Sequence, residues 1–209
     1  MTNQIPGEGL SQELRFLRQR LYWLCWTWQD YKALFINNSN QELLSQTVGS
    51  LARLIQVSLL DSIQLDIRAL SEIDRDSKRR NTNLSMYRLV YWLDQKQCDA
   101  VAREKVRAAL EAAGCESERV KKRRDKLIAH YDLSTIINER QFLLEWPTEE
   151  EISTAVTLLI KAMNAAERAL GECIYDYALL DDGLRDGANT LITILKRHAQ
   201  YLPPKCDEA

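Results

Sequence analysis

The sequence predicts an all-α protein, and three observations carry that expectation. Its 209 residues include only seven glycines and four prolines, the two residue types that interrupt helices. Leu, Ala, Glu, Arg and Gln, which lose little on entering a helix, are abundant. Apolar residues also recur near helical spacing, first at Leu14, Leu17, Leu21, Leu24 and Trp28. The length suits one substantial domain. We expect a leader over residues 1–9, a single helical domain over 10–200 and a tail over 201–209.

The apolar pattern predicts a first helix from Leu10 to Ile36, closed by the polar cluster Asn37-Asn38-Ser39-Asn40. Ser39 with Glu42 three residues later forms the pattern of a capping box, so a second helix should start there and reach Glu72. The charged stretch Asp74–Thr82 reads as a loop. Thr82 or Asn83 then suits the cap of a third helix over Leu84–Leu93. Residues 97–114 read as a helix ending near Gly114, and 116–131 as a further, basic segment.

Residues 132–147 mix β-formers such as Ile136, Ile137 and Phe142 with the polar Asn138-Glu139-Arg140. They predict a short hairpin or irregular arm around 134–146. Pro147 and Thr148-Glu149-Glu150-Glu151 then open a long helix, with threonine at the cap and carboxylates against the positive helix end. The pattern carries it to Leu180. A last helix should cover 187–199.

Composition narrows the function classes. A formal net charge of −2 means that any contact with phosphates must come from a local patch rather than from the bulk field. Cys25, Cys98, Cys115, Cys173 and Cys206 are scattered and odd in number. They read as free thiols in a reducing compartment, not as bridges or metal ligands. No basic-then-apolar signal segment opens the chain, and no uninterrupted apolar run approaches the ~20 residues of a membrane span. We therefore expect a cytoplasmic protein without membrane contact. The absence of a Gly-rich phosphate loop, a nucleophile elbow and a zinc pattern leaves no cofactor or metal to expect.

The candidate site is Arg123-Arg124-Asp125-Lys126-Leu127-Ile128-Ala129-His130. A guanidinium binds phosphate through a fixed fork of donors, and an imidazole exchanges protons near neutrality. On one helix Arg124 and His130 would lie about 120° apart, Arg123 and His130 about 20° apart. Either arginine is thus a candidate, and a second subunit would relax the geometry by supplying groups from both copies. Transphosphorylation by a 2′-hydroxyl needs both a base and an acid, and two copies of His130 would provide them. The plain alternative is a solvated basic face at Lys121–Lys126 with His130 as a hydrogen-bonded helix end. Leu127-Ile128-Ala129 argues that this stretch is amphipathic rather than fully exposed.

The segment RRDKLIAHYD, with Leu60–Leu70 and Asn83-Leu84-Ser85 upstream, resembles the abortive-infection U-type branch of the HEPN superfamily of all-helical domains. The resemblance spans roughly residues 10–180. It implies a helical bundle that dimerises with its two motifs facing each other, and a metal-independent endoribonuclease acting in defence or toxin–antitoxin systems. Arg124 would then hold the scissile phosphate, Asp125 would orient the reacting groups, and His130 would be general base or acid. Lys122, Arg123 and Lys126 would contact RNA. An antitoxin or other defence protein would be a partner, and products would carry 2′,3′-cyclic phosphates. Tyr131 follows His130 directly, so the histidine–any residue–tyrosine variant of nucleotidyltransferase-paired toxins is not present. A non-catalytic interaction or RNA-binding module remains the alternative reading.

Other features are weaker. Tyr22, Trp23, Trp26, Trp28 and Tyr31 suit packing better than base stacking. Arg75, Lys78, Arg79 and Arg80 read as a solvated loop, Asp61 and Asp66 do not share a helical face, and His198 reads as an exposed helix-end cation.

Overall fold

A computed structural model of the chain describes residues 8–72, 84–123, 147–175, 177 and 187–199. Among the described residues there are seven α-helices and no strand, so the fold is all-α as the composition predicts. In chain order they are α1 (Glu8–Phe35), α2 (Asn38–Ser71), α3 (Tyr87–Gln95), α4 (Ala100–Glu116), α5 (Glu118–Arg123), α6 (Glu149–Leu170) and α7 (Gly187–Ala199). The expected hairpin around 134–146 lies outside the described residues. These helices gather into two compact units: residues up to Cys25 with Asp61–Tyr177, and Trp26–Leu60 with α7.

The first unit is built on α1. Leu10, Leu14, Leu17, Leu21 and Leu24 recur at intervals of four and three, and all five are buried. Removing such a side chain from water is worth about 1.5–3 kcal/mol. Helix α6 buries Ile152, Ala155, Val156, Leu159, Ala162, Met163 and Ala166 in the same periodicity. Its alanines leave room for α4, which presents Val106, Leu110 and Ala113 and makes its most extensive contact with α6. Helix α3 packs on both.

Polar pairs set the positions of these helices. Glu13 of α1 accepts from Arg88 Nε at 3.1 Å, Arg88 NH2 at 2.9 Å and Trp92 Nε1 at 2.8 Å, all on α3. Arg20 donates to Asp66 of α2 at 2.9 Å. The Met86 N–H donates to the Leu70 carbonyl at 3.0 Å, so α3 begins against the last turn of α2.

In the second unit Leu34, Phe35, Leu44, Ala52, Ala188, Ile192 and Leu195 form a buried cluster. Trp28 stacks on Tyr31 at 5.6 Å, and Tyr31 meets Phe35 at 5.5 Å. Helix α2 bends at Gly49, whose φ of 28° is accessible to glycine at little cost.

Several boundaries differ from the sequence expectations. The cap of α2 is Asn37 rather than Ser39: Asn37 Oδ1 accepts from the Asn40 N–H at 3.2 Å. Ser39 is exposed inside the first turn. The Asn40 side chain is buried and donates to the Ala33 carbonyl at 2.7 Å, which ties α2 back to the end of α1. Helix α1 already runs at Glu8, inside the expected leader. Helix α3 begins at Tyr87, three residues late, after a Met86 that makes no side-chain cap bond. Helix α4 is capped by Asp99 Oδ2, which accepts from the Ala102 N–H at 3.2 Å, and it passes Gly114 to end at Glu116.

Helix α6 starts as expected on the Thr148–Glu151 capping box. It stops at Leu170, ten residues short of the expectation, because Gly171 takes a left-handed φ of 71°. The Gly171 N–H donates to the Arg168 carbonyl and the Glu172 N–H to the Glu167 carbonyl, the paired bonds of a Schellman motif. Helix α2 reaches the length and mean hydropathy, 1.2, of a membrane span by composition alone. Counting uninterrupted apolar runs overlooked this, since averaging tolerates scattered Ser, Gln and Thr. Of its apolar window 17% is buried inside the protein.

This geometry makes two predictions. Gly171→Ala should lower unfolding stability by about 1 kcal/mol, whereas Gly114→Ala, whose added methyl meets nothing within 4 Å, should raise it by up to about 1 kcal/mol. Glu13→Ala, which removes three hydrogen bonds between α1 and α3, should cost about 2 kcal/mol, and Glu104→Ala, at an exposed 4.0 Å pair with Arg107, less than about 0.5 kcal/mol. Urea denaturation of the four variants checks both.

Candidate functional site

The described approach to the Arg/His segment is short and well anchored. At the end of α4 the Ser117 N–H donates to the Ala113 carbonyl at 3.0 Å. The Ser117 hydroxyl donates to the Gly114 carbonyl at 3.1 Å. Ser117 is itself buried, so the turn's inner side faces the protein while Cys115, Glu116 and Glu118 are exposed. Helix α5 comes next, and Val120 fixes it by complete burial.

Two residues beyond Val120, about 200° around the axis, Lys122 is exposed. Arg123 is the last residue of α5. Arg124, Asp125, Lys126 and His130 lie outside the described residues, as do the basic loop Arg75–Arg80 and Cys206.

The aromatic group of α1 divides. Trp28 is buried, as the packing reading expects, while Trp23 is 48% exposed and Trp26 is half-buried. Asp66 is engaged by Arg20, and His198 is exposed in the last turn of α7 beside Lys196 and Arg197. Cys25, Cys98, Cys115 and Cys173 are free thiols. Among the described residues no group of three His, Cys, Asp or Glu side chains is arranged to hold a metal ion.

Sequence reasoning missed a charged cluster centred on Glu167. This carboxylate has no exposure to solvent. It accepts from Arg18 Nε at 2.7 Å, from the Tyr177 hydroxyl at 3.4 Å and from the Tyr175 N–H at 3.4 Å. Arg18 also reaches Glu172 at 3.3 Å and lies 4.9 Å over the Tyr175 ring. Burial works against the Arg18 charge, but the two carboxylates outweigh it and raise the guanidinium pKa. Burial, then the Glu167 charge, pushes the Tyr177 hydroxyl up. The one sequence signal was a glutamate at a core register of α6, four residues after Met163.

Burial also pushes the Cys25 thiol up to about 12. The thiolate, which is the nucleophile, is thus scarce at neutral pH.

The family model for AbiU2, a HEPN-type domain, matches residues 7–191. This range covers most of the first unit, part of the second up to the start of α7, and the Arg/His segment. The fold class is therefore that of a helical HEPN domain. Within that class the protein belongs to the AbiU2 family. No curated protein and no solved structure gives a significant match.

A maleimide reagent at pH 7 should label exposed Cys115 and Cys173 and leave Cys25 unmodified until the protein is denatured, as peptide mass mapping would record.

Proposed function

We propose that the protein is a metal-independent endoribonuclease of a defence or toxin–antitoxin type. The observation that carries this reading is the Arg124-Asp125-(four residues)-His130 pattern inside a chain matched to AbiU2 from residue 7 to residue 191. The pattern supplies the groups that RNA transphosphorylation needs. The 2′-hydroxyl attacks the adjacent phosphorus, the 5′-oxygen leaves, and the products are a 2′,3′-cyclic phosphate and a 5′-hydroxyl.

Arg124 binds the phosphate and neutralises the charge that develops on its oxygens. One His130 removes the 2′-hydroxyl proton, and a second His130, from the other subunit of a homodimer, protonates the leaving oxygen. Asp125 orients this pair. Lys122, Arg123 and Lys126 hold the flanking RNA backbone, and exposed Lys122 is consistent with that role. Charge stabilisation and both proton transfers are then met by side chains. The protein would work in the cytoplasm, restrained by an antitoxin or another defence-system partner.

Purified wild type, Arg124→Ala and His130→Ala incubated with total RNA and a transfer-RNA pool in EDTA would test this. Wild type should cleave and leave cyclic or 3′-phosphate ends, and His130→Ala should be slower by about 10²–10⁴-fold. Equal cleavage by all three would remove the site assignment. RNA binding lost in Arg124→Ala, without turnover by wild type, would favour a non-catalytic RNA-binding module.

A further inference from the structure

Three large rings stand half-exposed on α1 and α3: Phe16 at 46%, Trp23 at 48% and Tyr91 at 44%. Phe16 and Trp23 lie seven residues apart on α1, about 20° around and about 10.5 Å along its axis. They share a stripe of about 80° with Glu13 and Arg20, the residues that tie α1 to α3 and α2. Tyr91 lies one turn after Arg88 on α3, as Phe16 lies one turn after Glu13 on α1. The Glu13–Arg88 bond therefore sets both rings one turn from the same bridge. A ring exposed singly is ordinary, but three tied to one flank form a surface.

Guanidinium groups are interleaved with the rings. Arg88 lies 4.6 Å over Tyr91, and Arg15 lies 5.5 Å over Phe16. Arg20 gives its Nε donor to Asp66, and its guanidinium carries further N–H donors for an anion. These contacts bring together Arg15, Arg20 and Arg88 with Glu13 and Asp66, three cations to two carboxylates. The flank is thus positive in a chain whose net charge is −2.

This chemistry fits unpaired nucleobases. Flat rings stack on any base, and guanidinium groups add cation–π contact and pair with the phosphates between bases. The exposed large apolar residues of α2 and α7, Leu51, Leu54, Leu191 and Ile194, are aliphatic and offer no such faces. A protein covering the aromatic flank would also dehydrate the Arg88–Glu13 and Arg20–Asp66 pairs, a cost that a single strand avoids by leaving them wet.

We propose that Phe16, Trp23 and Tyr91 form a platform on which unpaired bases of a single-stranded RNA stack, with Arg20 on the backbone between them. RNA as the ligand rests on the proposed ribonuclease activity; the platform adds where the strand is gripped.

Fluorescence anisotropy of a labelled oligouridylate and of its abasic ribose-phosphate counterpart tests this, with His130→Ala present in every protein to prevent turnover. Phe16→Ala, Trp23→Ala and Tyr91→Ala should each weaken oligouridylate binding on the order of tenfold. Phe16→Tyr, Trp23→Phe and Tyr91→Phe should keep it. The abasic strand should bind weakly and equally to all. Oligouridylate held no more tightly than the abasic strand, or equally by the alanine variants and their parent, would overturn the proposal. So would alanine variants that bind RNA unchanged but sediment differently, which would assign the flank to a second copy of the chain. Ring-dependent binding without cleavage by the His130 protein in EDTA would remove the nuclease and keep the platform. Cleavage with ring-independent binding would remove the platform alone.

Discussion

Burial of the leucine seam of α1 is the constraint to which the rest of the first unit answers. Five leucines at alternating four- and three-residue intervals must face other helices, and that leaves the flanks of α1 to decide which neighbour lies where. Glu13 and Arg20, seven residues apart, share one flank and engage α3 and α2. Arg18, about 160° around from Arg20, engages α6 on the other. The apolar seam supplies the driving force and has no direction of its own. The ion pairs make one arrangement of neighbours compatible with it and penalise the others.

Of these pairs Arg18–Glu167 differs in kind. The carboxylate is fully buried, and desolvating a charge costs more than one contact returns unless several donors converge on it. Here a guanidinium, a hydroxyl and a backbone N–H converge. Such a cluster adds little net stability compared with well-packed apolar residues, but it is intolerant of misplacement, since any shift strands a buried charge. Its position just before the Schellman turn puts that intolerance where α6 gives way to irregular chain. The same residues therefore define a helix end and hold the segment beyond it.

The frame described for α4 and α5 bears on the proposed chemistry. Val120 and Ser117 bury the inner side of the turn that leads to Arg123, while Lys122 faces water. A site that binds a polyanion needs cations delivered from a rigid support, because side chains already restricted lose less entropy on binding. With a bulk charge of −2, RNA binding of the kind proposed would depend on such local delivery. Membership of the AbiU2 family places this short helix and the Arg/His segment after it within one matched domain.

What could be read from the sequence was whatever local chemistry decides. The breaker-poor composition and the leucine spacing determined an all-α chain, and Thr148 with Glu151 determined the start of α6, since a capping box closes within four residues. The Arg124/His130 pattern was legible as chemistry for the same reason: it needs residue types at a spacing and nothing else. Where local signals tied, tertiary contacts chose. Asn37 and Ser39 are both good caps, and Asn37 prevails where the buried Asn40 amide bonds Ala33 across the turn. The apolar pattern carried the last part of α6 to Leu180, whereas the left-handed conformation of Gly171 ends the helix at Leu170. The Arg18–Glu167 pair joins residues 149 positions apart, a separation at which no periodicity carries information. Sequence by itself determined the helices and the kinds of group available; only packing decided which buried charge meets which partner, because that choice depends on how neighbouring helices exclude water.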